Sequence, residues 1–126
     1  MSAQQALILF AHGARDPAWA EPFQRLRALT QSSLPKVNVA LAFLELMTPN
    51  LPQLVQQQVA DGVRQITVVP VFLGQGGHVR RDLPVLIEQL RQSYPTVTFD
   101  VAAAAGEDAG VLQALAHYCV TQAQSE

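Results

Sequence analysis

With 126 residues, 49% of them hydrophobic and 14% charged, the chain has the size and composition of one globular domain with a real core. A formal net charge of -2 without a basic run excludes the electrostatic footprint of a nucleic-acid binder. A single cysteine, Cys119, excludes a disulfide framework and a thiolate metal cluster.

No charged leader precedes an apolar core, and no apolar stretch is long enough for a bilayer. The expectation is a cytoplasmic domain over residues 1–126 with no membrane partner. The small charged fraction implies an apolar surface of the kind that ends in an oligomer interface.

In chain order, Ala6 to Ala11 is wholly apolar, which predicts a central strand covered on both faces. The loop His12 to Pro17 follows. A first helix is expected from Pro17 to Ser33, with Asp16 as cap and Pro17 at the tolerated first position. Pro22 in its first turns predicts a later start or a bend. Trp19, Phe23, Leu26 and Thr30 recur at helical spacing and should face the sheet.

A second strand, Val37 to Phe43, alternates weakly and belongs nearer an edge. A second helix spans about Asn50 to Gly62, capped by Thr48 or Asn50, with Leu51, Leu54, Val55 and Val59 buried. The third strand, Gln65 to Phe72, is again central, and Pro70 belongs near its end because it removes a ladder donor.

G-Q-G-G-H-V-R-R then reads as a loop, after which Asp82 caps a third helix with Leu83 and Pro84 in its first turn. Leu83, Leu86, Ile87, Leu90 and Tyr94 form its inner face. A fourth strand spans about Thr96 to Val101, with Val97, Phe99 and Val101 facing one way. A fourth helix follows Glu107 and Asp108 and ends near Gln122. Its Val111, Leu112, Leu115 and Cys119 should face inward, with Cys119 as core filler. The last residues should fray.

The pattern βαβαβαβα with short connections predicts an α/β fold with a parallel sheet and right-handed crossovers. Two central and two edge-like strands fit a spatial order of 2-1-3-4. Such a sheet has its crevice at the carboxyl ends of strands one and three.

Three residues of metal-binding type follow strand ends: His12, Glu45 and His78. Two imidazoles and a carboxylate suit Co²⁺, Ni²⁺, Fe²⁺ or Zn²⁺. Each also has a plain reading: a loop histidine satisfied by backbone or solvent, and a capping or salt-bridging carboxylate. Gly74, Gly76 and Gly77 permit positive φ and close approach of backbone to an anion. Their spacing is neither G-x-G-x-x-G nor Walker A, so no ATP site is expected. Arg15, Arg80 and Arg81 stand beside the histidines and suit carboxylates or phosphates, Arg81 equally a solvated helix entrance. Trp19 is read as packing of the first helix rather than as a cover for the site.

L-F-A-H-G-A-R-D-P, A-F-L-E-L-M-T-P and V-V-P-V-F-L-G-Q-G-G-H-V-R-R-D-L-P together resemble the short form of the CbiX/SirB class II chelatases. These are the sirohydrochlorin cobalt or iron chelatases of cobalamin and siroheme synthesis. The resemblance spans nearly the whole chain, and its third motif is the most specific. It implies a chelatase-like three-layer α/β/α fold and ATP-independent insertion of a divalent metal, Co²⁺ first and Fe²⁺ or Ni²⁺ next, into a tetrapyrrole.

Under this resemblance His12 and His78 serve at the metal-insertion site, and Glu45 matches the acidic residue of related anaerobic cobaltochelatases. The three would bind metal and take up protons, while Arg15, Arg80, Gly76 and Gly77 would hold the ring's carboxylates. No organic cofactor is implied; the metal is a substrate. Longer relatives carry two such domains, so a one-domain chain is expected to form a homodimer. Many relatives have H-G-S-R where this chain has His12-Gly13-Ala14-Arg15, a lost hydroxyl but no lost ligand.

Competing readings are a non-catalytic tetrapyrrole or metal carrier, a histidine phosphatase and a structural dimerisation module. Ala11 stands where the phosphatase family has Arg, which counts against the second. Two histidines at central strand ends count against the third.

Overall fold

The computed structural model describes residues 4–74 and 76–124. Four strands form one parallel sheet: β1 (Gln5–Ala11), β2 (Asn38–Phe43), β3 (Gln65–Pro70) and β4 (Thr98–Val101), in the order β2-β1-β3-β4. The helices are α1 (Glu21–Ser33), α2 (Leu51–Ala60), α3 (Gly77–Ser93) and α4 (Ala109–Gln124). The 2-1-3-4 order matches the expectation from hydrophobicity, and the three-layer α/β/α architecture matches what the family resemblance implies.

The chain reverses direction in the sheet at β2, so right-handed crossovers put α1 on one face and α2 with α3 on the other. The packing agrees. Ala6, Ile8 and Phe10 of β1 and Ile66 and Val68 of β3 form the main core with Leu51, Leu54 and Val55 of α2 and Leu83, Ile87 and Leu90 of α3. On the opposite face a smaller cluster joins Ala11 and Phe43 to Ala20, Trp19 and Phe23. Trp19 therefore packs at the entry of α1, its ring centroid 4.6 Å from Phe23 and 6.4 Å from Phe43.

Local signals explain most element ends. The Asp16 carboxylate accepts from the Ala18 amide at 3.0 Å and starts a single 3-10 turn, Pro17–Ala20. The α-helix itself begins at Glu21 with Pro22 in its first turn. Leu26, expected to face the sheet, is exposed. Asn50 and Gln53 form a reciprocal capping box at the start of α2. Pro70 is the last residue of β3, where its missing donor costs least.

Two larger expectations also fail. The stretch after the glycines is helix, not loop: α3 starts at Gly77 with Gly76 as N-cap, so Asp82 is not the cap and Pro84 lies inside the helix. Proline there removes one helix bond at a cost of about 3 kcal/mol. Buried Val79 and Leu83 in the same turns outweigh it, at roughly 1.5–3 kcal/mol each.

The second failure is α4. Leu112, Leu115 and Cys119 are exposed, Val111 is only half-buried, and no residue of the helix is buried. Cys119 is therefore not core filler. The helix joins the body through the 3-10 turn before it, Ala105–Glu107. There the Gly106 amide donates to the Phe72 carbonyl at 2.8 Å, and a Cβ on Gly106 would lie 1.7 Å from the Leu73 carbonyl oxygen. Ser125 and Glu126, expected to fray, lie outside the described residues.

Candidate active site at the carboxyl ends of the central strands

The site follows from parallel register. Ala11 pairs with Phe43, and Phe10 pairs with Pro70. The segments leaving β1, β2 and β3 therefore emerge level with one another. Beyond β1 and β2 the ladder continues: the Leu44 amide donates to the Ala11 carbonyl at 2.9 Å, and the Glu45 amide to the His12 carbonyl at 3.2 Å.

Gly13 makes this approach possible. Its φ is +97°, and an added Cβ would sit 1.8 Å from the Glu45 carbonyl oxygen. The two side chains then meet, with His12 Nε2 3.9 Å from Glu45 Oε1. Both are about half exposed, at 53% and 57%. A pair so exposed contributes little to stability. It leaves two donor atoms open to an incoming ligand.

Phe72 supports the imidazole. The two ring centroids are 5.8 Å apart at an edge-on angle of 67°. Phe72 is itself buried and lies 5.9 Å from Phe10. The histidine is thus carried on an aromatic column rooted in the core.

His78 is in the first turn of α3, on the segment that leaves β3. Among the described residues, no three or more His, Cys, Asp or Glu side chains are gathered closely enough to hold a metal ion. The structure brings His12 and Glu45 together as a pair. Gly76 caps α3 with a φ of -68°, so the positive φ expected of the glycine loop is not used there. Among the described residues, a Cβ at Gly74, Gly76 or Gly77 would meet nothing within 4 Å.

Arg15 is exposed on the loop after β1. Arg80 is exposed on α3 and lines a groove of about 270 Å³ with Leu83, Pro84, Arg91 and Val101. Arg81 turns back to its own helix, its Nε donating to the Gly77 carbonyl at 3.2 Å, as a helix-entrance residue does.

The CbiX family model matches residues 6–121. The chain belongs to the CbiX family. It is 34% identical over 92 residues to the sirohydrochlorin cobaltochelatase of Methanocaldococcus jannaschii, covering 71% of this chain and 63% of that protein. It is 27% identical over 117 residues to the sirohydrochlorin ferrochelatase of Bacillus subtilis, covering 90% of this chain and 44% of that one. The chain spans less than two thirds of the length of these curated relatives.

Among solved structures, a cobalamin-biosynthesis CbiX protein from Marinobacter aquaeolei superposes with a TM-score of 0.84 at 34% identity. That match covers 95% of this chain and 98% of that one. SirB from Bacillus subtilis, solved with Fe³⁺, superposes with a TM-score of 0.77 at 25% identity, covering 90% of this chain and 45% of that one.

Three features of the candidate site are not signalled by the sequence. Phe72 was visible only as the end of an apolar strand, although its place two residues after Pro70 puts it on the same face as His12. Leu46 and Leu73, the neighbours of Glu45 and Phe72, are large and exposed, at 56% and 67%. Leu46 also has a φ of +67°, rare for a residue with a side chain. Apolar side chains held in water beside a polar pair suit a flat, largely apolar ligand, and no linear motif signals them.

Proposed function

We propose that residues 1–126 form one class II chelatase domain that inserts a divalent metal into sirohydrochlorin without ATP or an organic cofactor. The carrying observation is the His12–Glu45 pair, 3.9 Å apart and open to solvent at the carboxyl ends of the central strands of a CbiX-family fold. Cobalt is the first candidate, since the methanogen relatives are cobaltochelatases; iron follows from the Bacillus ferrochelatase. Nickel suits the same donor types. The protein works in the cytoplasm as a homodimer, and its partners are the tetrapyrrole and a second copy rather than nucleic acid or membrane. Among the described residues no helix is long and apolar enough to cross a membrane.

In this reading the ring lies across Leu46 and Leu73, its peripheral carboxylates held by Arg15, Arg80 and the backbone amides of Gly76 and Gly77. His12, His78 and Glu45 present the metal to the ring. As the ion enters, two pyrrole N–H protons leave, so charge balances as M²⁺ in and two H⁺ out. The imidazoles take up these protons and pass them to solvent or Glu45. A few exposed donors suit transfer because a closed four-ligand site would retain the ion.

The test is anaerobic absorbance kinetics with sirohydrochlorin and Co²⁺, Fe²⁺ or Ni²⁺, comparing wild type, His12→Ala, His78→Ala and no protein. Wild type accelerates metallation, and each histidine variant loses at least about 100-fold, the usual scale of a proton-transfer group. Ring binding without acceleration for any ion would make the protein a carrier.

A further inference from the structure

We propose that the side-chain amide of Gln31 closes the outer edge of β2, and that the surface it keeps shut is a strand-pairing edge whose partner is β2 of a second copy. This role controls assembly and does not depend on the metal chemistry.

β2 is an edge strand, bonded to β1 on one side only. Its outward backbone groups belong to the odd-numbered residues. The Val39 amide donates to a side chain and the Phe43 amide to the Pro49 carbonyl, whereas the Leu44 amide turns inward to the Ala11 carbonyl of β1. Such an edge is a ready template for another strand. The strand itself carries none of the usual protection: its six residues, NVALAF, include no charge and no proline.

Protection comes instead from the helix before it. Gln31 of α1 donates from Nε2 to the Val37 carbonyl at 2.7 Å and accepts at Oε1 from the Val39 amide at 3.1 Å. In a parallel ladder a residue bonds the two positions flanking its opposite number in this same way, giving to one carbonyl and taking from the amide two residues on. The Gln31 amide therefore stands in for one residue of a fifth parallel strand. Its other Nε2 hydrogen goes to the Leu34 carbonyl at 2.8 Å, which ties the side chain to the turn after α1. Arg27, one helical turn earlier, reaches the next outward carbonyl, that of Val39, at 3.4 Å. At the far end of β2 the Pro49 carbonyl takes the Phe43 amide at 3.0 Å. The opposite edge of the sheet repeats the device. There Arg91 of α3, the helix before β4, donates to the Phe99 carbonyl at 2.8 Å.

Between the two seals on β2, Leu41 faces a groove of about 360 Å³ bordered by Gln24, Arg27, Phe43 and Pro49. Among the described residues, no group on that side takes its amide or its carbonyl. One open position is too short to hold a strand. Without Gln31 the open run extends from Val37 to Leu41, since Arg27 holds Val39 only through its long bond and swings out readily. A second β2 matches that run. Two such edges related by a two-fold axis meet antiparallel, with Val39 of each copy opposite Leu41 of the other, and each pair exchanges amide–carbonyl bonds in both directions. No charge on either strand opposes the approach. A second copy is also the one partner present wherever the protein is, so it is the partner a guard has to exclude.

The test uses the full chain over a range of concentrations. In wild type, hydrogen exchange is about tenfold slower at the Val39 amide than at the Leu41 amide, the protection one added hydrogen bond confers. Gln31→Ala retains a good helix former and the circular dichroism of a folded α/β protein. Its mass by light scattering rises above that of wild type with concentration, and its Leu41 amide becomes protected. Gln31→Glu separates guarding from plain destabilisation. It also loses both donated bonds, but its carboxylate places a charge on the edge, so it keeps the wild-type mass. A wild-type Val39 amide that exchanges as fast as that of Leu41, a Gln31→Ala chain of wild-type mass, or equal association of Gln31→Glu and Gln31→Ala would overturn the guard.

Discussion

Gly13→Ala probes how the site is built. At a φ of +97° an alanine pays the left-handed penalty of about 1–2 kcal/mol. Its Cβ would also sit 1.8 Å from the Glu45 carbonyl oxygen, so the two loops must part by more than about 1 Å. The bond from the Glu45 amide to the His12 carbonyl, 3.2 Å in the native chain, is then lost, for about 0.5–1.5 kcal/mol more. The expected destabilisation is about 2–4 kcal/mol, which for a chain of this length lowers the thermal midpoint by roughly 8–15 °C. Displacing the donors by about 1 Å should also slow metallation about 100-fold. Thermal unfolding by circular dichroism and anaerobic metallation kinetics measure the two effects. Gly76→Ala is the stability control: its φ is -68° and its Cβ meets no described residue, so the loss should stay below about 1 kcal/mol. A Gly13→Ala midpoint within about 2 °C of wild type would refute the close approach of the two loops.

Two further outcomes follow from burial. Gln58 of α2 is 2% exposed, and among the described residues both polar atoms of its side chain lack a hydrogen-bond partner. Gln58→Met keeps the shape and removes the unsatisfied amide, so the urea midpoint should rise by the equivalent of about 1–2 kcal/mol at unchanged slope. Chelation of divalent ions should leave the thermal midpoint unchanged, because His12 and Glu45 lie half exposed outside both core clusters. A resident ion at one hundred times its Kd would contribute about 2.7 kcal/mol, so a clear drop on adding EDTA would count against a transient site.

The meeting of His12 and Glu45 was readable from sequence where an apolar run stops abruptly. His12 and Glu45 follow such runs, and parallel register does the rest. The sheet order was readable because Ala6–Ala11 is apolar at every position and Ile66–Val69 at every position but Thr67, while β2 and β4 alternate with polar or small residues. The start of α3 was not readable, because glycines and Pro84 are local signals for loop and helix start, and the burial of Val79 and Leu83 that overrides them is tertiary. For α4 the apolar stripe was visible, but periodicity states that a face will be covered and not by what. Nor could linear pattern distinguish buried Gln58 from the exposed glutamines beside it.

The aromatic column beneath His12 carries one more consequence. Side chains alternate along a strand, so positions 10 and 12 share a face, as do positions 70 and 72. The pairing of Phe10 with Pro70 then sets His12 level with Phe72. Edge contact with a buried ring limits where the imidazole can swing, which matters for a donor otherwise half exposed. Truncating Phe72 to Ala would confound this with a core cavity costing about 3–5 kcal/mol. Phe72→Leu is the cleaner perturbation: it keeps much of the apolar volume and removes the ring–ring contacts, worth about 0.5–1.5 kcal/mol each. The protein should stay folded while metallation slows at saturating metal and ring, because the substrates still bind but the imidazole is no longer held in place. A slower rate from weaker metal or ring binding alone, with the saturated rate intact, would show that Phe72 serves the core and not the orientation of His12.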